Sequence, residues 1–301
     1  MIITIKEIEH LSEPMNICKK FEADINSLVP IDGEHTENTL TWCSLNNQNA
    51  LINVKKRTTI ITHNDVNKNN LTECCNYIFT ENPRRLFQLI IAKYFAPKSK
   101  IGISPKAVIN SNVIVGKNVY IGHNVIIEDN CIIGDNTSID HNTVIKENTQ
   151  IGNDVIIGAN CVIGGCGYGY EKNYNGDYEL ILHIGNVILE NGVEIGQSCC
   201  IDRAMLGSTI VGQNVKLDNH VHIAHGVKVG RNSILTAHVM IAGSTKIGQD
   251  VWIGPSSAIM NKIKIADKAF IGLGAVVIRD IETADVVAGN PARVLKKQIF
   301  E

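Results

Sequence analysis

The chain reads as mainly β: a solenoid of six-residue repeats preceded by a small α/β domain. The first sign is a period. From Val211 to Val277 every sixth residue is aliphatic, twelve positions running Val211, Leu217, Ile223, Val229, Leu235, Ile241 and onward without an exception. A second register, two residues earlier, holds mostly small or β-branched residues such as Thr209, Val215, Val221, Ser233, Thr245 and Ala269. A helix requires apolar spacings of three and four, and a simple strand requires two. A strict six fits short strands that turn a corner after each hexapeptide, each aliphatic side chain stacking on its counterpart in the next coil. At about 1.5–3 kcal/mol per buried aliphatic side chain, that column is the main stabilising term. The second sign is composition. Aromatics make up 5% of the 301 residues, while Gly, Asn, Ile and Val are plentiful, which suits thin stacked strands better than a helical globule.

Residues 1–100 show no such period and form the α/β domain. Strands are expected at Leu40–Ser44, Thr58–Thr62 and Asn76–Thr80. An amphipathic helix follows over Arg84–Phe95, with apolar residues at 86, 87, 90, 91 and 94. Asn82 as N-cap and Pro83 at the first helical position mark its start. Pro97–Lys100 is the linker. The repeat occupies 101–282, starting with Ile103, Ile109, Val115 and Ile121 and reaching Ile163 before it breaks at Gly164-Gly-Cys-Gly-Tyr-Gly-Tyr170. A polar loop is expected to about Leu180, with the repeat resuming by Leu189 and Ile195. A second break, Ile201-Asp-Arg-Ala-Met-Leu-Gly207, adds residues ahead of Val211. A solenoid tolerates insertions only at its corners, so both loops project outward, where function usually sits. Residues 283–301 form a tail or cap with a basic run from Val294 to Lys297.

A net charge of −2 without a basic stripe gives no ground for a nucleic-acid partner. Nine cysteines include no CxxC pair, and Cys131, Cys161 and Cys199 fall in the small-residue register as packing residues. The first ten residues carry charge and no apolar core, and no run approaches the 18 apolar residues of a membrane span. A soluble, cytoplasmic protein is expected, with no membrane insertion and no metal or permanently bound cofactor.

Chemistry concentrates on the central coils. His220, His222, His225 and His238 cluster there, and singly each of His220, His222 and His238 is an ordinary surface or corner residue. His225, in Ile223-Ala-His225-Gly, lies two residues past the inward aliphatic position. A corner imidazole with an ordinary pKa near 6.5 is suited to act as a general base, worth about 10²–10⁴ in rate. Asp218, seven residues earlier, is a candidate orienting carboxylate. Eighteen residues beyond His225, one coil on, stands Gly243, whose backbone N–H would be open beside the imidazole, as an oxyanion requires.

These segments, taken with Leu217-Asp-Asn219, Ile241-Ala-Gly243-Ser-Thr-Lys-Ile-Gly248 and Glu81-Asn-Pro-Arg-Arg-Leu-Phe87, resemble the UDP-3-O-acylglucosamine N-acyltransferase family over about residues 35–285. The resemblance implies a left-handed parallel β-helix and a homotrimer with active sites between subunits. It implies His225 as base, Asp218 as its partner, Gly243 as oxyanion donor and Asn219 on the pantetheine arm of the donor. The N-terminal domain would help hold the nucleotide, with Trp42, Tyr168, Tyr170 and His222 on the sugar nucleotide. Three departures stand out. Asn261-Lys262 occupies the place of a second histidine, Ser44–Ala50 holds no tyrosine to stack on uracil, and the C-terminal helices associated with acyl carrier protein are missing. Val287-Ala-Gly-Asn-Pro-Ala-Arg293 is instead similar to the tail of CoA-dependent hexapeptide acetyltransferases, which puts Arg293, Lys296 and Lys297 near CoA phosphates.

The leading expectation is therefore an N-acyltransferase that moves an acyl group from acyl-CoA to the amine of a nucleotide-linked amino sugar, for surface polysaccharide. The first alternative is the lipid A reaction itself, with acyl carrier protein as donor. Two readings come from other classes. His220-x4-His225, with His183 upstream, has the spacing of zinc ligands in γ-carbonic anhydrases, and a bare solenoid could serve only as a trimeric scaffold.

Overall fold

A computed structural model describes residues 2–11, 14–97 and 100–297, apart from the side chains of 296 and 297. The chain divides into two compact units, Met1–Ser99 and Lys100–Glu301. In the first, β1 (Ile3–Thr4) runs into a short α1 (Ile5–Glu9) and pairs with β3 (Asp24–Ile25). A five-stranded sheet is formed by β2 (Asn16–Cys18), β4 (Ser27–Leu28), β5 (Thr39–Trp42), β6 (Thr59–His63) and β7 (Asn76–Thr80), in the order β2-β7-β6-β5-β4. The strands expected from the sequence are β5, β6 and β7, the middle of this sheet. α2 spans Pro83–Ile90 and is capped by the Asn82 carboxamide, which accepts the Arg85 N–H at 3.0 Å. The expected helix ends sooner than its apolar pattern: Ile91–Phe95 widens into a π-turn ahead of Pro97. Leu86 and Ile90 bury against Leu40, Ile61 and Ile78, and α2 thereby covers one face of the sheet. The expected linker falls partly on residues 98 and 99, outside the described residues.

The second unit is a left-handed parallel β-helix. Its strands form three sheets, one per side of the coil. The first face begins at Gly102–Ile103, the second at Val108–Ile109 and the third at Ile114–Val115, and each strand pairs in parallel with one a full coil later. Ile121, Ile127, Ile133, Ile139 and their successors are buried in a single continuous core. The small-residue register closes the interior without leaving polar atoms orphaned. Thr137, Thr143, Ser233, Thr245 and Ser257 each donate a hydroxyl to a backbone carbonyl one coil on, at 2.8–3.0 Å. The Cys131, Cys161 and Cys199 thiols do likewise at 3.1 Å.

From residue 118 on, the corners of the coil repeatedly place one residue in the left-handed region, and this explains the abundance of asparagine. Asn118, Asn124, Asn130, Asn136, Asn142, Asn148 and Asn160 recur at six-residue steps with φ between 55° and 63°. Asparagine tolerates this region better than other residues with a Cβ. Its side chain adds a ladder: Asn124 donates to Asn142 at 3.1 Å, and Asn142 to Asn160 at 3.3 Å.

The two insertions are more ordered than polar loops. Tyr170–Lys172 and Tyr178–Leu180 pair antiparallel as a hairpin around the Asn173–Gly176 turn. The tyrosines at the strand starts favour extended backbone, and the Asn-Gly turn closes it. At the other end the period does not stop at Glu282. Asp285–Ala288 adds another parallel strand to the first face, and Arg293–Lys297 folds back antiparallel on it as a cap. No helix among the described residues is long and apolar enough to cross a membrane.

Candidate active site

His225 stands at the corner where the second face, through His222–Ile223, turns into the third, at Lys228–Val229. Ile223 points inward and is fully buried, which fixes the backbone entering the corner. Gly226 takes the left-handed position at φ 70° and donates its N–H to the Thr209 hydroxyl at 2.8 Å. The imidazole then reaches across the coil spacing to Gly243, at the same corner one coil later. A Cβ on Gly243 would fall 2.5 Å from His225 Nε2 and 2.7 Å from Cε1. Only a glycine leaves room for the ring.

The Gly243 N–H is itself uncommitted. At many other corners the matching N–H is taken by a carboxamide or carboxylate of the neighbouring coil: Lys117 by Asp135, Asp135 by Asn153, Gln197 by Asn219, Gln249 by Asp267. Among the described residues nothing accepts from Gly243, although the residue is buried, and its carbonyl is satisfied by Lys262 N–H at 3.0 Å. A buried donor next to an imidazole edge is a ready place for developing negative charge.

The first insertion closes over the same corner. It leaves the second face at Val162–Gly165 and returns through His183. Its root is clamped by Arg203 from the second insertion, whose Nε donates to the Gly164 carbonyl at 2.7 Å while its Nη1 pairs with Glu147. That guanidinium, hydrogen-bonded to Glu147, brings the carboxyl down to about 2. His183 is 7% exposed and lies edge-on to His225, with ring centres 4.9 Å apart and planes at 71°. Burial first, and then the neighbouring His183, push the His225 pKa below its ordinary value. Asp202 is also close to the cluster, 3.7 Å from His222 Nε2, and burial raises its pKa against the pull of His222 and His183. An imidazole whose proton affinity is lowered by burial, beside an open N–H, has the parts for proton removal from an attacking nucleophile together with oxyanion stabilisation.

Not every expected site residue converges here. Asp218 and Asn219 sit at the preceding corner, between the first and second faces. There Asp218 accepts the Asn219 N–H at 2.7 Å, and Asn219 accepts the Gln197 N–H at 2.7 Å. No hydrogen bond or ion pair joins Asp218 to His225 among the described residues, because one side of the coil separates them. His220 is likewise at that corner, in the left-handed position, its ring stacked on His238 at 4.9 Å. The His220–His225 spacing therefore does not make a ligand pair within one chain, and no three metal-binding side chains group together among the described residues.

Tyr168 and Tyr170 lie on the projecting insertion, ring centres 5.0 Å apart, and with Tyr178 line a recess of about 380 Å³. Trp42 belongs to the N-terminal unit, half-buried with its ring 6.4 Å from that of Phe87. Arg293 is exposed at the C-terminal end and donates to the Ala292 carbonyl at 2.9 Å. It lines a cleft of about 510 Å³ with residues 277–283. The Lys296 and Lys297 side chains are outside the described residues. Sequence reasoning found His225 and Gly243 through their 18-residue step. It missed Asp202 and Arg203 as structural partners of the corner, and it met His183 only as a zinc ligand. The signal available was the second insertion itself, which begins at Ile201-Asp-Arg203.

Three stretches, residues 106–137, 130–165 and 208–243, match the bacterial transferase hexapeptide family model of six repeats. A UDP-3-O-acylglucosamine N-acyltransferase from Protochlamydia amoebophila is 50% identical across 53% of this chain and 52% of its own. One of the same name from Porphyromonas gingivalis is 52% identical over 66 residues, 22% of this chain and 19% of its own. The likeness thus spans about half or less of these curated relatives. Among solved structures, the UDP-N-acetylglucosamine O-acyltransferase of Moraxella catarrhalis superposes with a TM-score of 0.59 at 28% identity, over 64% of this chain and 73% of that one. The corresponding acyltransferase of Bacteroides fragilis gives 0.59 at 27% identity, with the same coverage.

Proposed function

We propose that this hexapeptide-repeat chain is an N-acyltransferase that acylates the amine of a UDP-linked 3-O-acylglucosamine, the sugar of lipid A synthesis. One observation carries the reading. An imidazole depressed in basicity by burial rests on a glycine whose buried N–H is unengaged. In the proposed step the sugar amine attacks the thioester carbonyl and forms the C–N bond while His225 takes the amine proton. The Gly243 N–H stabilises the carbonyl oxygen as it gains charge, and the C–S bond then breaks with His225 returning the proton to the thiolate. No covalent enzyme intermediate is needed.

The names of the relatives support this acceptor over the surface-polysaccharide sugar expected from the tail. The donor is a thioester on a phosphopantetheine arm, and Asn219 is the proposed contact of that arm. A second reading, acyl-CoA as carrier, is favoured by the tail strand Arg293–Lys297 and the cleft that Arg293 lines. Tyr168, Tyr170, His222 and Trp42 are proposed contacts of the sugar nucleotide. Asp218 can partner His225 only if another copy of the chain supplies it, so that role requires a homotrimer with the site at the seam. The test is to supply the purified protein with UDP-linked 3-O-acylglucosamine and either 3-hydroxyacyl-carrier-protein or acyl-CoA, and to find the product by mass spectrometry. An amide formed from the carrier-protein thioester supports the proposal. An amide formed only from acyl-CoA moves the assignment to the second reading, and no amide from either donor overturns both.

A further inference from the structure

The cluster around His225 contains a second imidazole that the proposed step does not use. His183 is 7% exposed, and its Nδ1 donates to the Ile181 carbonyl at 2.7 Å, so one nitrogen is fixed as a donor and the ring cannot turn freely. Two glycines shape its seat. A Cβ on Gly167 would fall 2.7 Å from His183 Cδ2 and Nε2 and 2.7 Å from His225 Cβ, and one on Gly169 would fall 3.2 Å from His183 Cε1. The insertion therefore presses backbone, with no side chain between, onto both histidines. Its root is held by Arg203 through Gly164, so the seat is anchored to the coil rather than to a loose loop. In the next coil, the His225 ring meets Gly243. Among the described residues, Asp202 acts on the pair through His183, and His222 Nε2 lies 3.7 Å from the Asp202 carboxylate.

We infer that His183 is a positioning residue for the base, holding the His225 ring over Gly243 and opposing a positive charge there. The inference rests on the base role proposed above. A ring packed edge-on at 4.9 Å restricts rotation about the side-chain bonds of His225. Positive charge on both rings at once is unfavourable in a poorly solvated corner, so His183 opposes protonation of His225. Burial is the larger contribution and His183 the smaller. Removing His183 should therefore shift the behaviour of His225 without abolishing it.

The test uses His183→Phe and His183→Gln in the full chain, with NMR titration of the His225 Cε1–H and the pH profile of kcat/KM. In both variants the His225 titration should move up. The acid limb of kcat/KM should move with it, so the loss of activity is larger at pH 6 than at pH 8. An unmoved titration in variants that remain folded overturns the inference, as does an activity loss equal at all pH values. Should the variants not fold, the wild-type titration decides. Linked inflections at His183 and His225 support the inference, and independent ones overturn it. A His225→Ala protein with normal turnover would instead sink the base role, and the titration would still report on His183.

Discussion

A single hydrogen atom in place of a methyl group at residue 243 decides whether the His225 imidazole has room. Gly243→Ala would set its Cβ 2.5 Å from His225 Nε2, so the imidazole must leave its seat. The β-helix itself is undisturbed, since residue 243 has an ordinary backbone conformation. Turnover should fall by about 10²-fold with the melting temperature changed little, and a thermal melt beside an acyl-transfer assay checks both. The pH dependence has a definite sign. As the proposed base His225 would work when neutral, and burial depresses its pKa, so kcat/KM should rise with pH through a midpoint below the ordinary histidine value of about 6.5. A rate profile from pH 5 to 8 measures that midpoint. His225 and Gly243 were legible in the sequence because the solenoid converts an 18-residue step into contact. His183 and Asp202 were not, because they come from insertions that interrupt the period, and spacing loses its meaning there.

At the level of the coil, the inward register was plain from the sequence, and the corner register was not. Aliphatic residues recur because the core demands them. The corner demands only a left-handed backbone, which Asn, Asp, Ser, His, Lys and Gly all supply at different coils, so no single residue type announces it. Asn142→Val tests this element. A β-branched residue at φ 60° is strained by about 1–2 kcal/mol and also loses the ladder bonds to Asn124 and Asn160. Thermal unfolding should show a clear drop for valine and a smaller one for glycine, which accepts the backbone but not the ladder. The insertions behave as an element too. Arg203→Met removes the donor to Gly164 and the partner of Glu147, and hydrogen exchange in residues 164–185 should speed up while the coils on either side stay protected. The hairpin was read as a polar loop because its strands are three residues long and exposed on both sides, with no apolar alternation to mark them.

For the molecule as a whole, the division into an N-terminal α/β unit and a β-helix follows from where the period starts, and each unit has its own core. What one chain lacks is a route from Asp218 to His225, which lie at successive corners. If neighbouring copies complete the site, light scattering should give three chains per particle. Mixed trimers of His225→Ala and Asp218→Asn, refolded or co-expressed, should also recover activity. With random assembly, roughly a quarter of seams would pair an intact histidine with an intact aspartate. No recovery in mixed particles would place Asp218 outside the chemistry of the neighbouring copy.

Beneath all three scales lies the claim that the imidazole over Gly243 removes the proton of the attacking amine. The most direct measurement is single-turnover acyl transfer to UDP-linked 3-O-acylglucosamine by wild type and His225→Ala, with both proteins shown by melting and sedimentation to share one fold and one assembly. A rate loss of at least about 10²-fold with acceptor binding retained is the predicted result. A His225→Ala rate within a few-fold of wild type would contradict the account.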